Sequence, residues 1–377
     1  MKKSILLSSL SLLLAVGGMM GCQKEPAGPD TSVDGNNDLN RKALVTYWAD
    51  SLVKPGYQRF GGKLAVLKSQ TTAFTAAPTA TGLGTLRQAW REAYLDWQKV
   101  EMFEFGPAAD VSLVNRFNIY PADVAGIRQN IASGTYHFEL ATAIPQQGFP
   151  ALDYLLNGTG ADDNAIVQSY LGTSTAAANQ RRYLADVVGT RDQLLTTVQG
   201  RWNGAYRDTF VNSTGTNAGS SLSLLVNAFS RYYEQFLRSG KIGVPAGVMS
   251  GVASPEKIEA YHHRGTLPLQ LAATAHAAVQ NAFNGRAGQP SLKTYLDALG
   301  AKDSRTGQTL TQIINAQLAT AAQQLAGLGP DLLSTVQTRN AAAVAAHAEM
   351  QKAVRLLKVD MTSAMSVSVT YVDNDGD

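Results

Sequence analysis

Cysteine is nearly missing from this chain: Cys22 is the only one. A single cysteine has no intrachain disulfide partner, and paired-cysteine metal sites go with it. Strand-like alternation is also scarce, which leaves the helical repeat as the organising period. No His-Glu-x-x-His occurs, so a zincin protease is unsupported, and there is neither a Walker loop nor a nucleophile elbow. Charge of one sign is lacking as well. Of the 32 Lys and Arg, Lys2 and Lys3 lie in a leader, leaving 30 basic against 29 acidic residues. Such a balance gives no electrostatic drive toward nucleic acid, which is excluded as a partner.

What is present begins with that leader. Lys2 and Lys3 supply a positive start, and Ile5 to Met20 form an apolar stretch. The stretch is shorter than the roughly 20 residues a membrane-spanning helix needs. It ends in Met19-Met20-Gly21-Cys22, a small residue followed by the cysteine, so residues 1–21 read as a signal peptide. The block resembles a lipobox, which makes Cys22 the expected lipidation site and the lipid anchor the expected link to a membrane. Residue 23 is Gln rather than Asp, which favours the outer membrane over retention at the inner one. Residues 22–38 carry the cysteine and a polar stretch rich in Gly, Pro and Asp, read as a flexible tether.

The remaining length exceeds the usual single-core limit of about 250–300 residues, so two domains are expected. Apolar residues recur at helical spacing almost throughout. Helices are predicted over 41–52, ending before Pro55, then over 57–74, 86–105, 122–131, 161–171 and 176–210. The Ser/Thr/Gly/Asn stretch at 212–219 is the candidate boundary, giving domains 39–212 and 213–377. Further helices are predicted over 222–237 (stopped by Gly240), 255–263, 267–283, 291–299, 308–328 and 332–357. Only Ser366 to Tyr371 alternates like a short strand, and Asp373 to Asp377 read as an acidic tail.

Few residues could carry chemistry. Trp90, Tyr94 and Trp97 share one helix face, more a core stripe than a binding box, and Glu101 continues it. A carboxylate on an apolar stripe needs a partner, because burying it alone is costly. Either an arginine from a neighbouring helix answers it, or a ligand or metal does. Gly148-Phe149-Pro150-Ala151-Leu152-Asp153 opens a helix, with Pro150 suited to the first helical position. Asp153 then falls near the positive end of the helix dipole. Glu259 and His262 have the Glu-x-x-His spacing of carboxylate-bridged metal bundles. Such sites need a second copy of that motif, and none exists, so surface histidines are the competing reading. Glu101, Asp153 and Glu259 are expected to converge. Three carboxylates together require a cation, from Lys241 or Arg116 in a structural cluster, or from a metal or cationic ligand in a binding site.

Four blocks together resemble the imelysin-like family, the insulin-cleaving metalloproteinase outer-membrane type. They are Trp90-x6-Trp97-x3-Glu101-x-Phe103-x2-Gly106-Pro107, then Gln147 to Leu156, then Lys241 to Gly247 with Pro255-x3-Glu259, and the ending Val369 to Asp377. The resemblance implies an all-α fold of two helical-bundle domains packed face to face, with the site in the cleft between them. It also implies a link to iron acquisition. The family signature G-x-H-x-x-E, proposed to bind metal, reads here Gly148-x-Pro150-x-x-Asp153, so the histidine is replaced by a residue with no ligating side chain. The expected protein is an envelope lipoprotein, facing the periplasm or the cell surface. It would bind a ligand in the cleft through Glu101, Gly148, Pro150, Asp153, Lys241 and Glu259, and serve iron or haem uptake alongside a receptor. No catalytic residue is assigned. Asp153, Glu259 and His262 are the candidate ligands for iron or another divalent metal. A metallopeptidase and a structural surface lipoprotein are the alternatives.

Overall fold

In the computed structural model, residues 31–372 are described, apart from 304. Cys22, most of the tether and the tail 373–377 therefore lie outside the described residues. The architecture is all-α. Among the described residues the only β-type pairing is an isolated bridge between Lys302 and Thr309. Ser366 to Tyr371, predicted as a strand, forms none. Its backbone is instead tied to the Asn227 side chain, which donates to Ser368 O and accepts from Thr370 N.

The Ala80–Trp97 helix shows how sequence dictates structure here. The Thr79 side chain caps it, accepting from Gly82 N at 3.0 Å. Leu83, Leu86, Ala89, Trp90, Ala93, Tyr94 and Trp97 recur at steps of three and four, and all are buried. Tyr94 stacks on Phe149 at 4.3 Å and Trp97 on Phe117 at 4.7 Å, so the aromatic stripe is core. The helix stops at Trp97, earlier than Phe105, where three-residue-step bonds from Lys99 N to Asp96 O and Val100 N to Trp97 O tighten the chain into turns.

One proline and one glycine expected to end helices do not. The Thr31–Tyr47 helix passes through a π-helical stretch, Trp48–Val53, straight into Lys54–Ala76, with Pro55 in its first turn. Lys54 N bonds Ala49 O, five residues back, and this wider step resets the ladder ahead of the proline, which has no N–H to give. Ser221–Arg231 likewise runs on as a π-helix, Tyr232–Gly243, through Gly240. Gly240 serves a close approach instead: a Cβ there would sit 3.0 Å from the Tyr120 hydroxyl. In contrast, the predicted 176–210 helix does break, at Gly204, into Thr175–Asn203 and Ala205–Asn212.

Packing falls into two groups. Lys54–Ala76 lies against Ala80–Trp97 and Thr175–Asn203, which also carries Val124–Ser133, Gly148–Asn157 and Asp163–Tyr170. In the second group Leu310–Ala326 and Asn340–Arg355 pack with Leu267–Asn284 and the π-helix Tyr232–Gly243. Thr31–Tyr47 touches Ser221–Arg231 and Leu292–Ala298, and Leu267–Asn284 touches Ala80–Trp97, so one continuous buried apolar cluster threads both groups. Among the described residues no helix is long and apolar enough to cross a membrane.

Candidate functional site

Where the groups meet, four segments bring polar side chains into the apolar interior. The turns after Trp97 present Gln98 and Glu101, and the stretch after Phe117 presents Asn118 and Tyr120. The π-helix carries Tyr232 and Lys241, and the turn after Pro255–Lys257 carries Glu259. Gly148 makes part of this possible. It has φ +77°, and a Cβ would collide with the Phe117 carbonyl, so only glycine lets the 117–118 backbone pass so close to the helix start. Its part in the site is thus steric.

Lys241 and both glutamates are at most 2 % exposed. Lys241 Nζ donates to both oxygens of Glu259 at 2.9 Å and lies 3.5 Å from Glu101 Oε2. Asn118 Nδ2 donates to one oxygen of each glutamate at 2.8 Å, while its own carbonyl oxygen accepts from the Tyr94 hydroxyl at 2.6 Å. Tyr232 OH donates to Glu101 at 3.2 Å, and Gln98 Nε2 to Glu259 at 3.2 Å. Burial, and then the nearby Glu259 charge, raise the Glu101 carboxyl above its ordinary range against the pull of Lys241 and Asn118. Burial also works against the Lys241 charge, but the two glutamates outweigh it and hold the ammonium above its usual pKa. The charge that answers Glu101 is therefore a lysine of the opposing group, not an arginine. Arg116 lies outside the cluster and donates to the carbonyls of Val111, Phe138 and Glu139.

Asp153 is buried differently. It is the sixth residue of the Gly148–Asn157 helix, beyond the first turn, and Pro150 is the third residue rather than the first. Its oxygens accept from the backbone N–H groups of His262 at 2.7 Å and His263 at 2.8 Å, and from Asn157 Nδ2 at 3.1 Å. So it caps a distant turn and not its own helix end. Burial pushes its carboxyl up to about 7 in spite of these donors. No direct contact joins it to the two glutamates, although Tyr94 feels the charge of all three.

The expected helix over 255–263 is a single 3-10 turn, Pro255–Lys257, followed by irregular chain with Ala260 at φ +55°. Glu259 and His262 consequently share no helix face. The His262 ring packs edge-on to Tyr154 at 5.3 Å, and burial lowers its pKa, helped by Arg264 and Arg128. Among the described residues no group of three or more His, Cys, Asp or Glu gathers to hold a metal ion. The expected set of Asp153, Glu259 and His262 is not brought together, and the donor chemistry explains why. Glu259 is taken by an ammonium and two amides, and Asp153 by two backbone N–H groups. These residues do not fit a resident iron or other divalent ion.

A cavity of about 240 Å³ opens beside this assembly, walled by Tyr120, Pro150, Asp153, Ile258, Tyr261 and His262 among others. Asn118, Tyr120, Gln98 and Tyr232 went unrecognised in the sequence. Gln98 lies one residue past Trp97, and Tyr120 precedes Pro121, but neither position has a periodic signal.

The family model described as Imelysin, within peptidase family M75, matches residues 53–359. Iron-regulated protein A of Synechococcus elongatus is 26% identical over 296 residues, spanning 75% of this chain and 76% of that protein. Among solved structures, an imelysin-like protein from Psychrobacter arcticum 273-4 superposes with a TM-score of 0.67 at 18% identity, covering 89% of this chain and 98% of that one. A protein of Parabacteroides distasonis ATCC 8503 does so with a TM-score of 0.65, also at 18% identity, over 86% and 96% of the two chains. These likenesses establish the shared fold, and the match over residues 53–359 establishes the lineage: the chain belongs to the imelysin family.

Proposed function

We propose that this chain is an envelope lipoprotein, anchored through Cys22, that binds a ligand between its two helical groups and serves iron or haem uptake without peptidase chemistry. The observation that carries this reading is the cavity beside Tyr120. Its walls come from residues 120–124 and 150–153 of the first group and 256–262 of the second, and the Glu259 carboxylate behind it is already paired with the protein's own lysine. A pocket at a junction, with a few polar groups at its wall, is the usual setting for small-ligand recognition. The iron connection rests on the name of the Synechococcus elongatus relative. Against a metallopeptidase stands Pro150 in the signature's histidine position, together with carboxylates whose oxygens are committed to internal donors.

The test combines turnover with binding. The purified mature chain, incubated with insulin with and without a chelator, is expected to leave insulin intact. Titration with haem and with ferric chelates is expected to give saturable binding that Val124→Trp, filling the cavity from its half-buried rim, weakens without lowering the melting temperature. Chelator-sensitive cleavage of insulin that Asp153→Ala also removes would establish the peptidase instead.

A further inference from the structure

Another cavity, of about 370 Å³, is lined in part by the turns that carry Glu101, through Lys99, Met102 and Phe103. Its walls come from both helical groups: Tyr47, Met102 and Phe103 on one side, and the end of Leu267–Asn284 with the following loop on the other. Three cations line it, Arg59, Lys99 and Arg286. Among the described residues the only carboxylate bound to any of them is Asp96, which is buried at 3 % exposure and answers two of the three.

The way the cations are held matters more than their number. Arg59 reaches Asp96 through Nε alone, at 3.0 and 3.1 Å to its two oxygens, so its terminal guanidinium nitrogens make no bond among the described residues. Lys99 donates to Asp96 at 3.0 Å. Arg286 makes no side-chain hydrogen bond or ion pair among the described residues. Only its backbone is engaged: the N–H donates to the Tyr47 hydroxyl at 3.4 Å and the carbonyl accepts from Gln289 N at 3.0 Å. One buried carboxylate thus fixes two cations at the wall, and a third stands across from them with its fork free. The floor between them is apolar and aromatic.

We infer that this cavity binds a small organic anion carrying two or more carboxylates, with its carbon skeleton on Met102 and Phe103 and its charges on Arg59, Lys99 and Arg286. Arginine forks match carboxylates in two-point geometry. The volume falls within the usual range for small-molecule pockets, about 300–1,000 Å³, and leaves an inorganic anion without contact to the apolar floor. This site is independent of the cavity beside Tyr120, so either assignment can fail alone.

Isothermal titration calorimetry of the mature chain with citrate, succinate and inorganic phosphate tests it. Citrate is expected to bind saturably, more tightly than phosphate, and with an affinity that falls as salt rises. Arg286→Glu, at an exposed position that disturbs no existing bond, is expected to weaken citrate about tenfold or more while Val124→Trp leaves it unchanged. Citrate binding equally well to the Arg286→Glu protein, phosphate binding as tightly as citrate, or no heat from any of the three would each overturn the assignment.

Discussion

Two buried acid sites sit within reach of the same tyrosine and are solved in opposite ways. Glu101 and Glu259 are matched by a charge: the Lys241 ammonium between them, with Asn118 binding both. Asp153 is matched by dipoles, two backbone N–H groups and one amide, with no cation in contact. The first arrangement locks two helical groups together, because the lysine and one glutamate come from one group and the other glutamate comes from the second. The second arrangement shapes a turn, because Asp153 holds the backbone at 262–263 where the cavity wall forms. A charge match tolerates the loss of neither sign, whereas a dipole match is graded.

Removing the cation should therefore have the largest effect. Lys241→Met leaves two buried carboxylates facing each other, and breaking a buried pair in this way costs about 3–5 kcal/mol. Urea unfolding at neutral pH should show that loss. The double variant Lys241→Met, Glu259→Gln should regain at least half of it, since one uncompensated charge goes too. A single variant within about 1 kcal/mol of the parent would mean that the lysine is not the charge holding the groups together.

The dipole site should cost less. Asp153→Ala leaves two half-buried N–H groups without their acceptor, a penalty of about 2–3 kcal/mol in total, near the low end of the range for unsatisfied donors because solvent can reach them in part. Hydrogen exchange at the His262 and His263 amides should accelerate well beyond the global change, and the Glu101–Lys241–Glu259 contacts should persist. Equal acceleration across the π-helix Tyr232–Gly243 would show that the two sites are one unit after all.

How much of this could be read from the sequence divides along the same line. Glu101 was legible because a carboxylate on a stripe of Trp90, Tyr94 and Trp97 contradicts its surroundings, and Lys241 was named as one source of the opposing charge. The helical class followed from periodicity. Asn118 and Tyr232 were not legible: one sits in irregular chain, the other 131 residues from its partner Glu101. The main partners of Asp153 are backbone groups 109 and 110 residues away, which carry no side-chain signature, so its place near a helix start suggests a dipole role at its own helix, where the structure gives it one at a distant turn. The π-helical stretches Trp48–Val53 and Tyr232–Gly243 were hidden for a different reason. One extra residue per turn leaves the apolar period almost intact, so Pro55 and Gly240 looked like stops when the chain runs through both.

A half-buried acid, Glu104, sharpens the comparison, with the smallest expected effect. Glu104 lines another cavity with Glu101, Arg231 and Tyr371, and accepts from Val114 N at 3.1 Å. It has no bonded cation among the described residues, and burial pushes its carboxyl up to about 8, the Val114 N–H, the more distant Arg231 and the Leu113 N–H lowering it only in part. The native state therefore keeps a proton that the unfolded chain has already released above its ordinary value of about 4.5. Stability from this group is complete at low pH and is lost as pH rises from there through about 8. Between pH 6 and 8 the loss should be about 2 kcal/mol. Asp153, raised to about 7, adds to the same decline with the same sign. Urea midpoints across that range should fall in the parent protein. Glu104→Gln, which keeps an acceptor for Val114 N without a titrating proton, should flatten the fall to the part Asp153 contributes. A Glu104→Gln profile parallel to the parent would mean that Glu104 is already ionised in the folded protein, its charge answered by Arg231 across the cavity, and would move it from the dipole class to the charge-matched one.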